Sequence, residues 1–208
     1  MSTAATLSSA GAADAHASVT RVSDGIARAA RLRLLGLLLE RPRPGWRDEL
    51  VRLAMEIDDP PLRAAVAAAR TASEGQYLAL LGPGAPFSPR EASVVGLGDP
   101  GWMLAEIARC YEAFGYTPRA EDPPDHVAVE TGFVGFLELK ESLAWASGDA
   151  EAACTVAAAR AAFVERHLAP LVARLARCLE AAPASHLALA VDVLAARIAV
   201  QATSPADG

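Results

Sequence analysis

Valine, isoleucine and threonine are scattered along this chain, and nowhere do they build the alternating apolar run that a half-buried strand requires. The dominant residues are alanine, leucine, arginine and glutamate, which are among the strongest helix formers. The fold class expected is therefore all-α. Apolar residues make up 52% of the 208 positions, which excludes a disordered chain and is enough for one domain with a sizeable core.

Proline, glycine and N-capping residues divide the pattern into a bundle of roughly eight to ten helices. Helices are expected over 23–40, 44–57, 59–72, 77–81, 99–114 and 124–146. Asp149 should cap the next, and a last helix should run over 183–201. After Asp149, the residues Cys154, Ala157, Ala161, Val164, Leu168, Leu171, Leu175 and Cys178 step by three and four and read as one core stripe. Pro170 lies inside that stripe and should kink or split the helix near 167–169. Residues 1–22 read as a disordered tail, 23–202 as a single domain and 203–208 as a short second tail. The stretch 82–100 is rich in glycine and proline and reads as a long loop, a kind of segment that is often functional.

The net charge of −6 argues against nonspecific nucleic-acid binding, which needs Lys and Arg to neutralise phosphates, and favours cationic partners. The longest greasy run, 34–39, is far shorter than the ~20 residues of a membrane span, so no membrane insertion is expected. Cys110, Cys154 and Cys178 form no C-x-x-C pair, and an odd count on predicted helices suggests buried, reduced thiols suited to the cytoplasm.

The richest local pattern is PPDHVAVETGFVGFLELKE, over 123–141. Proline fits the first turn of a helix, and a carboxylate there meets the positive end of the helix dipole. Asp125 is thus expected to cap this helix, with His126 as a solvated first-turn residue. A free carboxylate at Asp125 would suit a planar guanidinium. His126 and Glu130 are four apart and share a face, where a hydrogen bond between them would fix the ring. A metal there would need further ligands, and no H-E-x-x-H occurs. Ser88, Asp125 and His126 do not make a hydrolase triad, because an adjacent Asp and His on one turn cannot orient each other. The glycine-rich stretch 82–86 lacks the Lys-Ser/Thr of a phosphate-binding loop. Ser88, Pro89 and Glu91 have the spacing of a capping box. Trp46, Trp102 and Trp145 read mainly as core fillers. Trp102, beside the long loop, is the one placed to touch a peptide.

The 123–141 stretch resembles the PDH signature of the TorD/DmsD/NarJ family, matching at Pro124, Asp125, His126, Val127, Val129, Glu130 and Phe133. Tyr77, Leu80, Ser88, Pro89 and Glu91 are similar to a second family segment. Phe163, His167, Leu168 and Pro170 are similar to a third. Thr131, Gly132 and Leu171 depart from the pattern, as do Ser93, Val94 and Val95. The stretch 98–116 most resembles the chaperones of type II dimethyl-sulfoxide-reductase enzymes. The resemblance implies a TorD-like single-domain helical chaperone of the cytoplasm, a monomer or dimer, with no catalysis and no cofactor. The implied partner is the apo catalytic subunit of a molybdenum oxidoreductase, its twin-arginine signal peptide, or both. The implied client-binding residues are Pro124, Asp125, His126, Glu130, Ser88, Glu91 and Trp102. Two other readings are a small helical metal- or ligand-binding enzyme using the His126/Glu130 face, and a structural helical adaptor.

Overall fold

A computed structural model describes residues 4–93, 99–118, 122–180 and 185–203. It is helical throughout. Among the described residues the one β-type pairing is an isolated antiparallel bridge between Arg90 and His126. The helices are α1 (Ala4–Leu39), α2 (Trp46–Met55), α3 (Pro60–Ala69), α4 (Glu74–Leu81) and α5 (Pro100–Phe114). They continue with α6 (Val127–Ala146), α7 (Ala150–Phe163), α8 (Ala169–Leu179) and α9 (His186–Thr203).

The long helices α1 and α6 form the centre of the bundle. They run antiparallel, since Gly25 faces Ser142 while Gly36 faces Ala128 and Gly132. Small residues make this closeness possible. A methyl added at Gly36 would lie 3.1 Å from the Ala128 carbonyl oxygen, and one at Gly135 would lie 3.1 Å from Leu32 Cβ. The Leu-rich end of α1 fills the core with Leu34, Leu35, Leu37, Leu38 and Leu39. Buried Trp46 closes that end, and its indole N–H donates to the Leu37 carbonyl at 2.7 Å.

Two carboxylates buried in the bundle are matched by arginines, which offsets the cost of their desolvation. Glu138 on α6 receives Arg28 from α1 and Arg160 from α7, each at 3.0 Å. Asp59 caps α3 by accepting from the Leu62 N–H, and it also receives Arg31 of α1 and Arg197 of α9.

Helix α1 begins at Ala4, and residues 1–3 lie outside the described residues. Alanine is the commonest residue of 4–22 and no proline occurs there, which suits a helix. Helix α9 ends at Thr203, and 204–208 lie outside the described residues. The single stripe expected after Asp149 is broken. On α7 the buried residues are Ala153, Val156 and Phe163, while Cys154 is exposed. On α8 Leu171, Val172, Leu175 and Leu179 are buried. Between them Val164–Leu168 forms one π-helical turn, in which the Ala169 N–H reaches back five residues to the Val164 carbonyl. Pro170 cannot donate a helical hydrogen bond and crowds the preceding turn. The wider turn accommodates it. The stripe holds through this turn at Val164, Leu168, Leu171 and Leu175, and it fails before it, on α7, where Cys154 and Ala161 are exposed.

Candidate functional site

Helix α6 begins differently from the expectation. Asp125 is not its cap. His126 takes that position, with its Nδ1 accepting from the Ala128 N–H at 3.1 Å. With Nδ1 an acceptor, the proton of the neutral ring sits on Nε2, which donates to Tyr77 Oη at 2.9 Å. Both ring nitrogens are therefore occupied, and no position on the ring is free for a metal. Burial lowers the His126 pKa below its ordinary value, and Arg90 adds to that effect while Asp122 and Asp125 oppose it.

Asp125 is fully buried and serves a distant part of the chain. Its carboxylate accepts from Arg90 Nε at 3.0 Å and pairs with the second Arg90 nitrogen at the same distance. Its other oxygen accepts from the Ala92 N–H at 3.1 Å. Two backbone bonds lie beside these contacts: Glu91 N–H to the Asp125 carbonyl and Val127 N–H to the Pro89 carbonyl, each 2.9 Å. The turn before α6 and the segment 88–93 are thus locked face to face. The guanidinium expected from a partner is supplied by Arg90 of the same chain.

The locked segment contains a 3-10 turn, Glu91–Ser93, so part of the expected loop is ordered; 94–98 lie outside the described residues. The capping box expected at Ser88 is absent. Ser88 Oγ accepts from the Arg90 N–H and donates to Ser93 Oγ. Glu91 turns inward, where it accepts from His167 Nδ1 at 3.0 Å. A capping box does form at Ser73 and Gln76, which start α4.

Glu130, one turn into α6, is fully buried, and no donor reaches either oxygen of its carboxylate. The expected Glu130–His126 hydrogen bond is not made. Burial raises its pKa well above the usual range, and the charges of Glu91 and Asp125 raise it further. Glu91 raises it through a side-chain hydrogen bond as well as through its charge, the protonated Glu130 carboxyl being the donor. Pro124 is half-buried and offers its carbonyl to Tyr111 Oη at 2.7 Å. Tyr111 also packs against Tyr116, Phe133 and Phe163, and Phe163 packs against His167.

Tyr77, the 88–91 segment, the Asp125–His126 turn and His167 lie far apart in sequence, yet one hydrogen-bonded cluster joins them. The nitrate reductase delta subunit family model matches residues 64–177, a span that encloses every one of these groups and more than half of the chain. The chain belongs to the nitrate reductase delta subunit family. This is a family of molybdoenzyme maturation chaperones, so the family named from the motifs is the family to which the chain belongs. No curated protein matches the chain.

At the motif turn Asp125, His126 and Glu130 are enclosed. What faces outward is a cleft of about 180 Å³ beside them, lined by Glu91, Trp102, Met103, Glu106, Arg166 and His167. Glu91 and His167 belong to both the cluster and the cleft wall. Trp102 is 56% exposed. Arg166 stacks over its ring at 5.5 Å and pairs with Glu106 Oε1 at 2.9 Å. Sequence reasoning assigned no role to Arg90, Glu106 or Arg166. The signal available for Arg90 was its place inside the Ser88–Glu91 motif. Among the described residues no group of three or more His, Cys, Asp or Glu is arranged to hold a metal, and no helix is long and apolar enough to cross a membrane.

Proposed function

We propose that this protein is a cytoplasmic maturation chaperone. It binds the apo catalytic subunit of a molybdenum-containing oxidoreductase, and the twin-arginine signal of that subunit where one is present, until the cofactor is inserted. The observation that carries the reading is the convergence of three motif segments on one cluster inside the span of the family match. It makes and breaks no covalent bond. Its action is differential binding: the unfinished partner is held more tightly than the finished one. Asp125, His126 and Glu130 serve by positioning. They hold Ser88, Glu91 and the α5 start in the arrangement that presents Trp102 and the cleft to the client. The alternative of a metal- or ligand-binding enzyme on the His126/Glu130 face is disfavoured by the burial of both residues and by the full occupation of the His126 ring.

The test is a titration of the purified chain with a catalytic subunit of this class from the same organism, prepared apo and cofactor-loaded. The expected result is an affinity for the apo form higher by about tenfold or more, which corresponds to about 1.4 kcal/mol. Equal affinity for the two forms contradicts the proposal, since equal binding cannot release a finished client.

A further inference from the structure

We propose that the cleft between α5 and the π-helical turn is a binding site for a single arginine side chain of a client segment, and that Arg166 occupies that place until the client arrives. The inference rests on the chaperone reading and names the chemistry that its exposed face selects.

The cleft has two elements of a guanidinium site. Trp102 offers an exposed indole face, and guanidinium groups stack on such faces. Glu106 offers a carboxylate whose geometry is half used. Arg166 reaches Oε1, while Oε2 is buried with no hydrogen-bond partner. A carboxylate matches a two-pronged guanidinium fork, and here it meets one prong. Arg166 is the internal stand-in: it already stacks on Trp102 and pairs with Glu106. Its side chain is 58% exposed while that of Glu106 is 14% exposed, so Arg166 can turn out into water and leave the carboxylate to an incoming guanidinium.

Charge and size support the same occupant. Glu91, Asp99 and Glu106 line the cleft against Arg166 as its one arginine, so a cation is favoured. The volume of about 180 Å³ is below the ~300 Å³ at which small-molecule and cofactor sites begin, which suits one side chain. Lysine would satisfy the charge but could neither stack as a plane nor use both Glu106 oxygens. The π-helical turn places Arg166 next to His167, which is bonded to Glu91. Displacing Arg166 therefore acts beside the cluster that holds the motif turns together.

The probe is N-acetyl-arginine-N-methylamide, with the lysine and citrulline analogues as controls. Binding to the full chain is followed by the NMR shift of the Trp102 indole N–H. The expected result is a saturable shift for arginine, at least about threefold tighter than for lysine, and none for citrulline. Glu106→Gln should weaken the arginine probe by about fivefold or more, because the neutral amide loses the charge and one acceptor. Arg166→Ala should tighten it by about threefold or more, because the internal competitor is gone. Equal binding of arginine and citrulline overturns the inference, and so does weaker binding after Arg166→Ala. Apo-subunit capture by the wild type is measured in parallel. Intact capture without arginine preference removes this inference alone. Arginine preference without capture supports the cleft and removes the chaperone reading.

Discussion

Of the three helix starts that place an aspartate beside a proline, at α3, α5 and α6, the last two use it in opposite ways. At α5, Asp99 precedes Pro100 and accepts from the Gly101 N–H at 2.8 Å, so its carboxylate serves its own helix. At α6, Asp125 follows Pro124, leaves the cap to His126 and reaches across to Arg90 and Ala92. The first aspartate lies at a cleft open to solvent and the second is fully buried. Similar letters thus specify a local cap in one place and a tertiary clasp in the other. The surroundings decide the outcome. Asp125 has an arginine and a free backbone N–H within reach, while at α6 a neighbouring imidazole supplies the cap.

The comparison is broken most severely by Asp125→Ala. Removing one partner of a buried charge pair leaves the other uncompensated, and Arg90 is partly exposed, so the loss should be about 3 kcal/mol, at the lower end of the usual range. Urea unfolding measures it. A loss no larger than that of an ordinary cap would make the two aspartates equivalent.

The second test concerns pH. The Glu130 pKa is raised in the folded protein, first by burial and then by Glu91 and Asp125. A folded-state pKa above the unfolded value gives stability that is fully present below the unfolded value of 4.5 and is lost as pH rises towards the folded one. Glu130→Gln removes that loss. The variant should gain on the wild type between about pH 5 and about pH 8, read as a growing difference in urea midpoint. A difference that is flat across this range would show that Glu130 is already ionised in the fold.

The smallest effect belongs to Asp99→Ala, which removes one side-chain cap on an exposed helix start. It should cost about 1 kcal/mol. A thermal melt against Asp125→Ala then ranks the two starts directly.

Much of this architecture is legible in the sequence because helix punctuation is local. Asp59, Asp99 and Asp149 cap the helices they precede, α5 spans the expected residues to Phe114, and Gly115 ends it in the left-handed conformation at a φ of 68°. Trp46 in the core and Trp102 at the surface are legible for the same reason, from their places in the pattern. The readings that failed depend on partners far away in the chain. Asp125 looks like a cap until Arg90, thirty-five positions earlier, is brought to it. Ser88 and Glu91 have capping-box spacing, yet Glu91 is drawn inward by His167. The stripe through Cys154 and Leu175 fails before the π-helical turn, on α7, where Cys154 and Ala161 are exposed. For the site the motif residues were legible, and the contacts that hold them together were not. Asp125 and Glu91 fasten two turns together through Arg90 and His167, partners that lie far along the chain.

That fastening is the central claim, and a double-mutant cycle tests it most directly. Arg90→Ala, Asp125→Ala and the double variant are unfolded in urea beside the wild type, with no partner present. If Asp125 is a clasp for Arg90, the two single losses overlap and the coupling is about 1–3 kcal/mol. A coupling near zero, with the losses simply adding, would show that the pair does no fastening and would return Asp125 to the partner's arginine.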